Sequence, residues 1–201
     1  MKITGIQVQV KNPSRYSVFV EGAYSFSLSA DALLESRLVN GQELSESDVV
    51  YFKKLSAEDK AFNLTLAYVA RRMRSEGELQ DYFRRKEYAP ELAEQIMSKL
   101  RRLSFVDDEE FARRWVENRR TLKSSSSKKL HLELRQKKIS NEIIQTVIAE
   151  DEIDERQMLR ELVAKKRKMS RYQDDQKLMR YLAGQGFNYD DIKSAMAKEE
   201  E

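Results

Sequence analysis

The stretch FVDDEEFARRWVENRR, from Phe105 to Arg120, carries the clearest helix signals in the chain. Asp107 can cap a helix because its carboxylate can accept hydrogen bonds from the free amides of the first turn. Glu110 completes the spacing of a capping box, and Val106 and Phe111 have the spacing of a hydrophobic staple. An apolar stripe at helical spacing then predicts one buried face, which consists of Phe111, Ala112, Trp115 and Val116.

The same pattern of helix starts occurs three times from Ser56 onward, with a period of roughly 50 residues. First helices are predicted to begin at caps Ser56, Asp107 and Asp154, and second helices at caps Ser75, Ser126 and Asp174. The second helices end before Tyr88, Ile139 and Phe187, at residues suited to a left-handed C-terminal cap: Glu87, Lys138 and Gly186. Third helices start at Pro90, which favours the first helical position, and after the caps Ser140 and Asn188.

The first part of the chain has the alternation of β-strands over residues 2–28. Turn signals at Asn12-Pro13-Ser14 and Glu21-Gly22-Ala23 divide it into a three-stranded antiparallel meander. Ser27 or Ser29 can cap a short helix, and Ser45 with Asp48 starts a second one that is predicted to end near Leu55. Such a small sheet needs helices to cover it.

These patterns predict a mainly α protein: three tandem three-helix repeats in an elongated, curved stack, preceded by a small antiparallel β-meander with short helices. The predicted domains are a β-containing extension over 1–55 and three-helix repeats over 56–106, 107–153 and 154–201. The last residues, AKEEE, are predicted to be a frayed tail.

Composition excludes several classes of function. The chain has no cysteine, which excludes disulfides, thiol catalysis and thiolate metal sites. No run of 18 apolar residues predicts a membrane span, and no signal peptide is recognisable, so we expect a cytoplasmic protein with no membrane contact. The single histidine, His131, and the serines of 124–127 lack the partners of a catalytic site. Trp115 is interpreted as a packing residue and the acidic cluster at 107–110 as a helix cap, so no enzyme is predicted.

Basic residues are the remaining functional candidates. Residues 58–140 hold 20 Lys and Arg against 14 Asp and Glu, whereas 141–201 hold 11 against 14. One interpretation is a set of solvated helix faces with local pairs such as Glu109–Arg113 and Glu110–Arg114. The other is a row of cations that suits a polyanion or the groove of a filament. The candidate contacts are Arg71, Arg72, Arg74, Arg84, Arg85, Lys86, Arg113, Arg114, Arg119, Arg120, Lys123, Lys128, Lys129, Lys137 and Lys138.

Two segments resemble the RecX family, bacterial regulators of the RecA recombinase. They are FVDDEEFARRWVENRR and LAYVARRMRSEGELQDYFRRKEYAPELAEQIMSKL before it, and the resemblance extends over about 60–198. Family members often carry glycine where Glu87 and Lys138 stand and near 124–127, which affects turn geometry more than fold. Phe105, Asp107, Phe111 and Ala112 look like structural signatures of the family.

The resemblance implies a row of three-helix repeats after a β-containing extension. It implies a monomer that binds the RecA filament on DNA, lies in its helical groove and bridges protomers. Such a protein would limit filament extension, ATP hydrolysis and strand exchange, in DNA repair, recombination and the SOS response. The resemblance implies no catalytic residue and no cofactor.

The alternative is a DNA-binding module that applies its basic three-helix units directly to single- or double-stranded DNA. A helix with successive exposed Asn, Gln and Arg would favour sequence-specific reading of bases. The runs of Arg and Lys suit phosphate contacts instead, so weak DNA binding can accompany filament binding.

Overall fold

The computed structural model describes residues 1–197, which form three β-strands and ten α-helices. The chain divides into two compact units, which are described separately. The first unit contains Met1–Arg72 and Pro90–Ile96, and the second contains Met73–Ala89 and the described residues from Met97 onward. Within residues 1–197, no helix combines the length and the apolar content that crossing a membrane requires.

The first unit contains the predicted antiparallel meander, with strands β1 (Ile3–Gln9), β2 (Asn12–Val20) and β3 (Ala23–Ser29) in sheet order β1-β2-β3. The predicted turn at Glu21-Gly22 is confirmed, and both residues adopt positive φ angles. The predicted turn at Asn12-Pro13-Ser14 is wrong, because the chain turns at Val10 and Lys11 and Pro13 lies in β2.

Proline is tolerated in this central strand because it sits at an irregularity of the ladder. The pairing of β1 with β2 shifts register between Val8 and Gln9, and the pairing of β2 with β3 begins only at Arg15. The Pro13 position therefore does not demand the ladder amide that proline lacks.

Two helices accompany the sheet in the first unit. The helix α1 (Ala30–Ser36) is capped by Ser29, one of the two predicted caps, whose Oγ accepts from the Ala32 amide at 3.2 Å. The helix α2 (Glu46–Val69) begins with the predicted Ser45–Asp48 capping box. Buried apolar residues of the sheet, of the segment between α1 and α2, and of α2 itself form one core: Ile3, Val18, Val20, Phe26, Leu28, Leu38, Leu44 and Val49.

The predicted break between Leu55 and Ser56 does not occur. Helix α2 continues for 24 residues, and Ser56 lies in its interior instead of capping a new helix. The Ser56 hydroxyl donates a hydrogen bond to the Ser27 carbonyl of β3 at 2.5 Å. With neither glycine nor proline between Ser45 and Val69, no residue interrupts the helix. The predicted boundary at 55/56 therefore falls inside one helix.

A buried ion pair joins the sheet to α2. Arg15 Nη1 lies 2.8 Å from Asp59 Oδ2, and the two side chains are 11% and 8% exposed. Arg15 also donates to the Ser27 carbonyl at 2.8 Å, while Asp59 accepts from the Ser29 amide at 2.9 Å and the Ser29 hydroxyl at 2.6 Å. The pair and its hydrogen bonds thus fix β2 and β3 against one side of α2.

The second unit holds most of the three-helix repeats. Helix α4 spans Pro90–Arg102, so its first residues belong to the first unit. The helices are α3 (Glu76–Arg85), α4 (Pro90–Arg102), α5 (Asp108–Lys123), α6 (Ser127–Gln136), α7 (Asn141–Ala149), α8 (Glu155–Arg167), α9 (Asp175–Gly184) and α10 (Tyr189–Ala197), with a short 3₁₀ helix at Ser170–Tyr172.

Local capping signals predict these helices well. Side-chain capping bonds are present at Ser75, Asp107, Ser126, Ser140, Asp154 and Asp174. Pro90 is the first residue of α4, as predicted. The capping box at Asp107 is not formed, because Glu110 accepts from Arg114 Nε at 2.6 Å. The predicted left-handed residues Glu87, Lys138 and Gly186 have φ angles of 54°, 62° and 92°.

Two equivalent cores lie inside the second and third repeats. The predicted stripe residues Phe111, Ala112 and Val116 are buried, with Trp115 partly buried beside them. Leu130 and Leu134 of α6 and Leu178 and Leu182 of α9 are fully buried at equivalent positions. The predicted mainly α fold with an N-terminal meander and three-helix repeats is confirmed. The elongated, curved stacking stays a prediction.

Neighbouring repeats in the second unit meet twice through the same helix ends. At the first joint, Ser75 at the start of α3 donates from its hydroxyl to the Lys137 carbonyl at the end of α6, at 2.6 Å. At the second joint, the Ser126 amide before α6 donates to the Gln185 carbonyl after α9, at 3.0 Å. A second helix in one repeat thus begins where the second helix of the next repeat ends.

Each joint holds one glycine, but on opposite sides. Gly77 of α3 faces Lys138, and a Cβ built on Gly77 would lie 2.3 Å from the Lys138 Cβ. At the second joint the equivalent of Gly77 is Lys128, and the equivalent of Lys138 is Gly186. A Cβ on Gly186 would lie 2.3 Å from Ser126 Oγ. Because helix ends touch at both joints, one side of each must lack a side chain.

The Gly77→Ala substitution is expected to lower the free energy of unfolding by about 1–3 kcal/mol, as overpacking does. Alanine in an exposed helix would instead stabilise by about 0.5–1 kcal/mol relative to glycine, so the sign is diagnostic. Gly184→Ala in α9 is the control, because nothing lies within 4 Å of its added Cβ. Urea unfolding measures both. If Gly77→Ala stabilises as much as Gly184→Ala, the close joint is absent.

Candidate partner-binding surface

Arg120 is an internal residue, so its placement among the candidate partner contacts is wrong. Its side chain is 5% exposed, and Nε lies 2.7 Å from Asp151 Oδ2. Its other nitrogens donate to the Ser125 carbonyl at 2.6 Å, to Ser127 Oγ at 2.8 Å and to Glu155 at 3.0 Å. The spacing explains why Arg120 is buried, because this residue follows Ala112 and Val116 at intervals of four and continues the buried stripe.

The carboxylates at the two joints lie in contrasting environments. Asp108 at the start of α5 accepts from the Glu76 amide at 2.8 Å, and Glu155 at the start of α8 accepts from the Ser127 amide. Burial is the largest influence at Asp108 and raises its pKa. Burial also opposes ionisation of Glu155, but hydrogen bonds from Ser127 and Arg120 outweigh it and lower the pKa. Glu155 is therefore a stable anionic partner for Arg120.

Three lysines among the candidates also join neighbouring repeats. Lys137 Nζ lies 2.8 Å from Glu78 of α3, and Lys138 pairs with Asp81 of the same helix. Lys129 donates to the Gly184 carbonyl at 2.7 Å. These lysines thus take part in the joints between α3, α6 and α9.

Trp115 packs as predicted, but its ring is only half-buried. It stacks on Phe111 at 5.8 Å between ring centroids, and Nε1 donates to Glu133 at 2.8 Å. The Arg119 guanidinium lies 4.4 Å from the centroid and pairs with Glu133 at 2.6 Å. Arg119 is therefore engaged in a cation–π contact and an ion pair within the repeat.

A second group of candidates is exposed and locally paired. The predicted helical pairs Glu109–Arg113 and Glu110–Arg114 are formed, and Arg113 also lies 3.1 Å from Glu150. The hydrogen bonds that Arg113 donates to Glu150 and Glu109 raise its pKa. Arg84 pairs with Asp81. Exposed pairs of this kind contribute about 0–1 kcal/mol, so a partner's carboxylate or phosphate can replace the local acid.

A third group is exposed without an ion pair among residues 1–197. In the second unit these are Arg85, Lys123 and Lys128, together with Lys86, whose Nζ lies 5.9 Å from the Tyr82 ring. Arg71 of the first unit is exposed likewise. Two more candidates do not belong to this group: Arg72, which is exposed, and Arg74, which is half-buried. We call one set the exposed cations of the second unit: Arg84, Arg85, Lys86, Arg113, Arg114, Lys123 and Lys128. Their contact with a partner stays a prediction.

The sequence interpretation missed a shallow groove in the third repeat. Arg156, Leu159 and Arg160 of α8 line one side, and Asp191, Ser194 and Ala195 of α10 line the other. Aligning the repeats would have shown it, since Arg156 stands where the second repeat has Glu109. Elsewhere, the described part of the chain contains no group of three or more His, Cys, Asp or Glu that could hold a metal ion.

Four family models match the chain in succession. The "Regulatory protein RecX N-terminal domain" matches residues 1–45. Models described as the first, second and third three-helix domains of RecX match 61–100, 107–148 and 154–196. Together they account for most of the strands and helices described above.

Two similar curated proteins are both named "Regulatory protein RecX". The one from Listeria monocytogenes is 30% identical, over 97% of this chain and 74% of its own length. The one from Bacillus subtilis is also 30% identical, over 96% of this chain and 75% of its own length.

Solved structures agree with the fold. One, titled "Crystal structure of regulatory protein RecX", superposes with a TM-score of 0.72 at 25% identity, covering 96% of this chain and 98% of that one. RecX from Lactobacillus salivarius superposes with a TM-score of 0.58 at 22% identity, over 70% of this chain and 95% of that one.

Proposed function

The chain belongs to the RecX family of regulatory proteins, and from this premise we propose that it is a negative modulator of RecA. In this proposal it binds along the groove of RecA–DNA filaments in the cytoplasm and limits filament extension, ATP hydrolysis and strand exchange. It catalyses no reaction and needs no cofactor. The observation that carries the proposal is the ordered match of four RecX models along one chain.

The distribution of charge supports binding to a large, charged partner. Several predicted cations are used inside the protein, but the exposed cations of the second unit remain available on α3, α5 and α6 or at their ends. Each of them can make only a modest contact. Several modest contacts to successive protomers of a polymer give avidity without a deep pocket.

RecA ATPase on single-stranded DNA tests the proposal directly. Substoichiometric amounts of this protein are expected to lower the steady-state ATPase rate, because one molecule that stops filament extension affects many protomers. Raising the salt concentration should weaken the effect, since exposed charges are screened. An unchanged or higher ATPase rate at every concentration would contradict negative modulation.

Charge reversal identifies the surface. Arg113→Glu with Arg114→Glu is expected to raise the concentration needed for half-inhibition about tenfold, or about 1.4 kcal/mol of binding free energy. Lys53→Glu with Lys54→Glu on α2 is the control with equal charge change, since both lysines are exposed. Circular dichroism checks that both variants stay helical. Equal inhibition by both variants and the unaltered protein would remove α5 from the binding surface.

Fluorescence anisotropy with labelled DNA and no RecA distinguishes the proposed function from direct DNA binding, the alternative predicted from the sequence. Negative modulation predicts that DNA binding is weak at salt concentrations where RecA inhibition persists. A DNA affinity high enough to account for the inhibition would favour the DNA-binding module.

A further inference from the structure

The groove between α8 and α10 is a concave site lined by two arginines from one helix. Arg156 and Arg160 are four residues apart, so both lie on one face of α8. Leu159 and Ala195 are buried and form an apolar floor, while Ser194 adds an exposed hydroxyl from α10. Neither arginine makes an ion pair with any of residues 1–197, which distinguishes both from Arg120.

In the second repeat, the arginine equivalent to Arg160 is neutralised by nearby acids. Arg113 is the equivalent of Arg160, and it pairs with Glu109 one turn earlier and with Glu150. The equivalent of Glu109 in the third repeat is Arg156. One local acid has thus been exchanged for a second base, and both guanidinium groups can bind the same anion in the groove.

We propose that this groove binds the carboxylate of an acidic side chain on the protein partner. Two guanidinium groups and a hydroxyl can supply several donors to one carboxylate, and guanidinium–carboxylate bonds are among the stronger hydrogen bonds in proteins. The apolar floor suits a hydrophobic residue beside the acidic one. The identity of the partner rests on the proposed function, which makes it a RecA protomer.

Acidic groups around the groove favour a single carboxylate over nucleic acid. Asp191 lines the groove opposite the arginines, and Asp154, the N-cap of α8, accepts from the Arg156 amide at 2.9 Å. These carboxylates repel any anion, and the repulsion is larger for the several successive phosphates of a nucleic acid strand than for one carboxylate. Asp191 can instead accept a hydrogen bond from a backbone amide of a bound peptide.

A peptide titration of the full chain tests the groove without RecA. The probe is acetyl-Leu-Glu-Leu amide, with acetyl-Leu-Gln-Leu amide as its neutral control, and the readout is the NMR signal of each arginine Nε–H. The acidic peptide is expected to shift Arg156 and Arg160 saturably and to leave Arg113 unmoved. Equal shifts by both peptides, or equal shifts of all exposed arginines, would overturn the proposal. Tighter binding of inorganic phosphate than of the acidic peptide would make it a phosphate site instead.

A pair of variants tests the groove on filaments. Arg156→Gln with Arg160→Gln is expected to weaken binding to RecA–DNA filaments about tenfold while changing the affinity for DNA alone less than about twofold. Lys177→Gln with Arg180→Gln on α9 removes the same charge from exposed positions of the same repeat and serves as the control.

The outcomes separate the two proposals. Equal loss of filament binding in both variants would show a general effect of charge and overturn the groove. Parallel loss of filament and DNA binding would identify nucleic acid as its ligand, which also overturns it. If the unaltered protein binds no RecA filament, the proposed function fails, and the peptide titration still decides whether the groove takes a carboxylate.

Discussion

Replacing Arg120 with alanine is expected to lower the free energy of unfolding by about 3–5 kcal/mol, the cost of breaking a buried ion pair from one side. Arg120 is the only cation paired with Asp151 and Glu155 within residues 1–197, and it also satisfies the Ser125 carbonyl. Without it, two carboxylates near the second joint lose their counter-charge. Urea unfolding at neutral pH, followed by circular dichroism, measures the loss.

The control for this variant is Arg114→Ala on the same helix. Arg114 is exposed and pairs only with Glu110 among the described residues, so the expected loss is below about 1 kcal/mol. The two substitutions remove the same side chain from α5 and differ in burial and partners. Equal losses would mean that Arg120 is solvated and that the second joint does not depend on it.

The Arg120 effect should shrink in acid. Because the folded pKa of Glu155 is lowered, its carboxylate contributes stability above its ordinary pKa, and that contribution is lost as pH falls through the folded value. Protonated Glu155 gains less from Arg120, so the difference between Arg120→Ala and the unaltered protein is expected to decrease as the pH falls through the lowered folded pKa of Glu155. A difference that is independent of pH would indicate that the carboxylates are not the main partners.

Local signals predicted most of the helix starts. Caps such as Ser75, Ser126 and Asp174 act within one turn, so the residues that determine them are adjacent in sequence. The repeat supported the predicted helix starts, because equivalent leucines follow each of these caps at the same distance. The prediction of a helix start at Ser56 was wrong because it used the same local signal. A serine followed by acidic residues has the pattern of a cap even inside a continuing helix.

Side-chain roles that depend on distant residues were less predictable. Arg120 belongs to the basic run of α5, but its ion-pair partners are more than 30 residues away: Asp151 between α7 and α8, and Glu155 at the start of α8. The local sequence of this run does not distinguish exposed from buried arginines. The one distinguishing feature is that Arg120 lies four residues after Val116 and so continues the buried stripe. The groove of the third repeat could have been predicted from sequence, because Arg156 stands where the second repeat has Glu109, the acid that pairs with Arg113.

The ion pair between Arg15 and Asp59 could not be inferred from sequence, because 44 residues separate its members. Asp59→Ala is expected to lower the free energy of unfolding of the protein by about 3–5 kcal/mol, since it leaves the buried Arg15 guanidinium without its counter-ion. The loss includes the hydrogen bonds that Asp59 accepts from the Ser29 amide and hydroxyl. Urea unfolding of Asp59→Ala, compared with the unaltered protein, gives the total cost.

A double-mutant cycle separates the pair from its surroundings. If Arg15 and Asp59 stabilise each other, Arg15→Met with Asp59→Leu should cost less than the sum of the single variants, because no unpaired charge stays buried. Lys54→Met with Glu58→Leu is the control, an exposed pair at 3.8 Å with an expected coupling of about 0.3–0.5 kcal/mol. Additive losses at Arg15 and Asp59 would show that the two charges are separately solvated. Strong coupling would instead mean that the sheet is held to α2 by a contact that apolar patterning does not reveal.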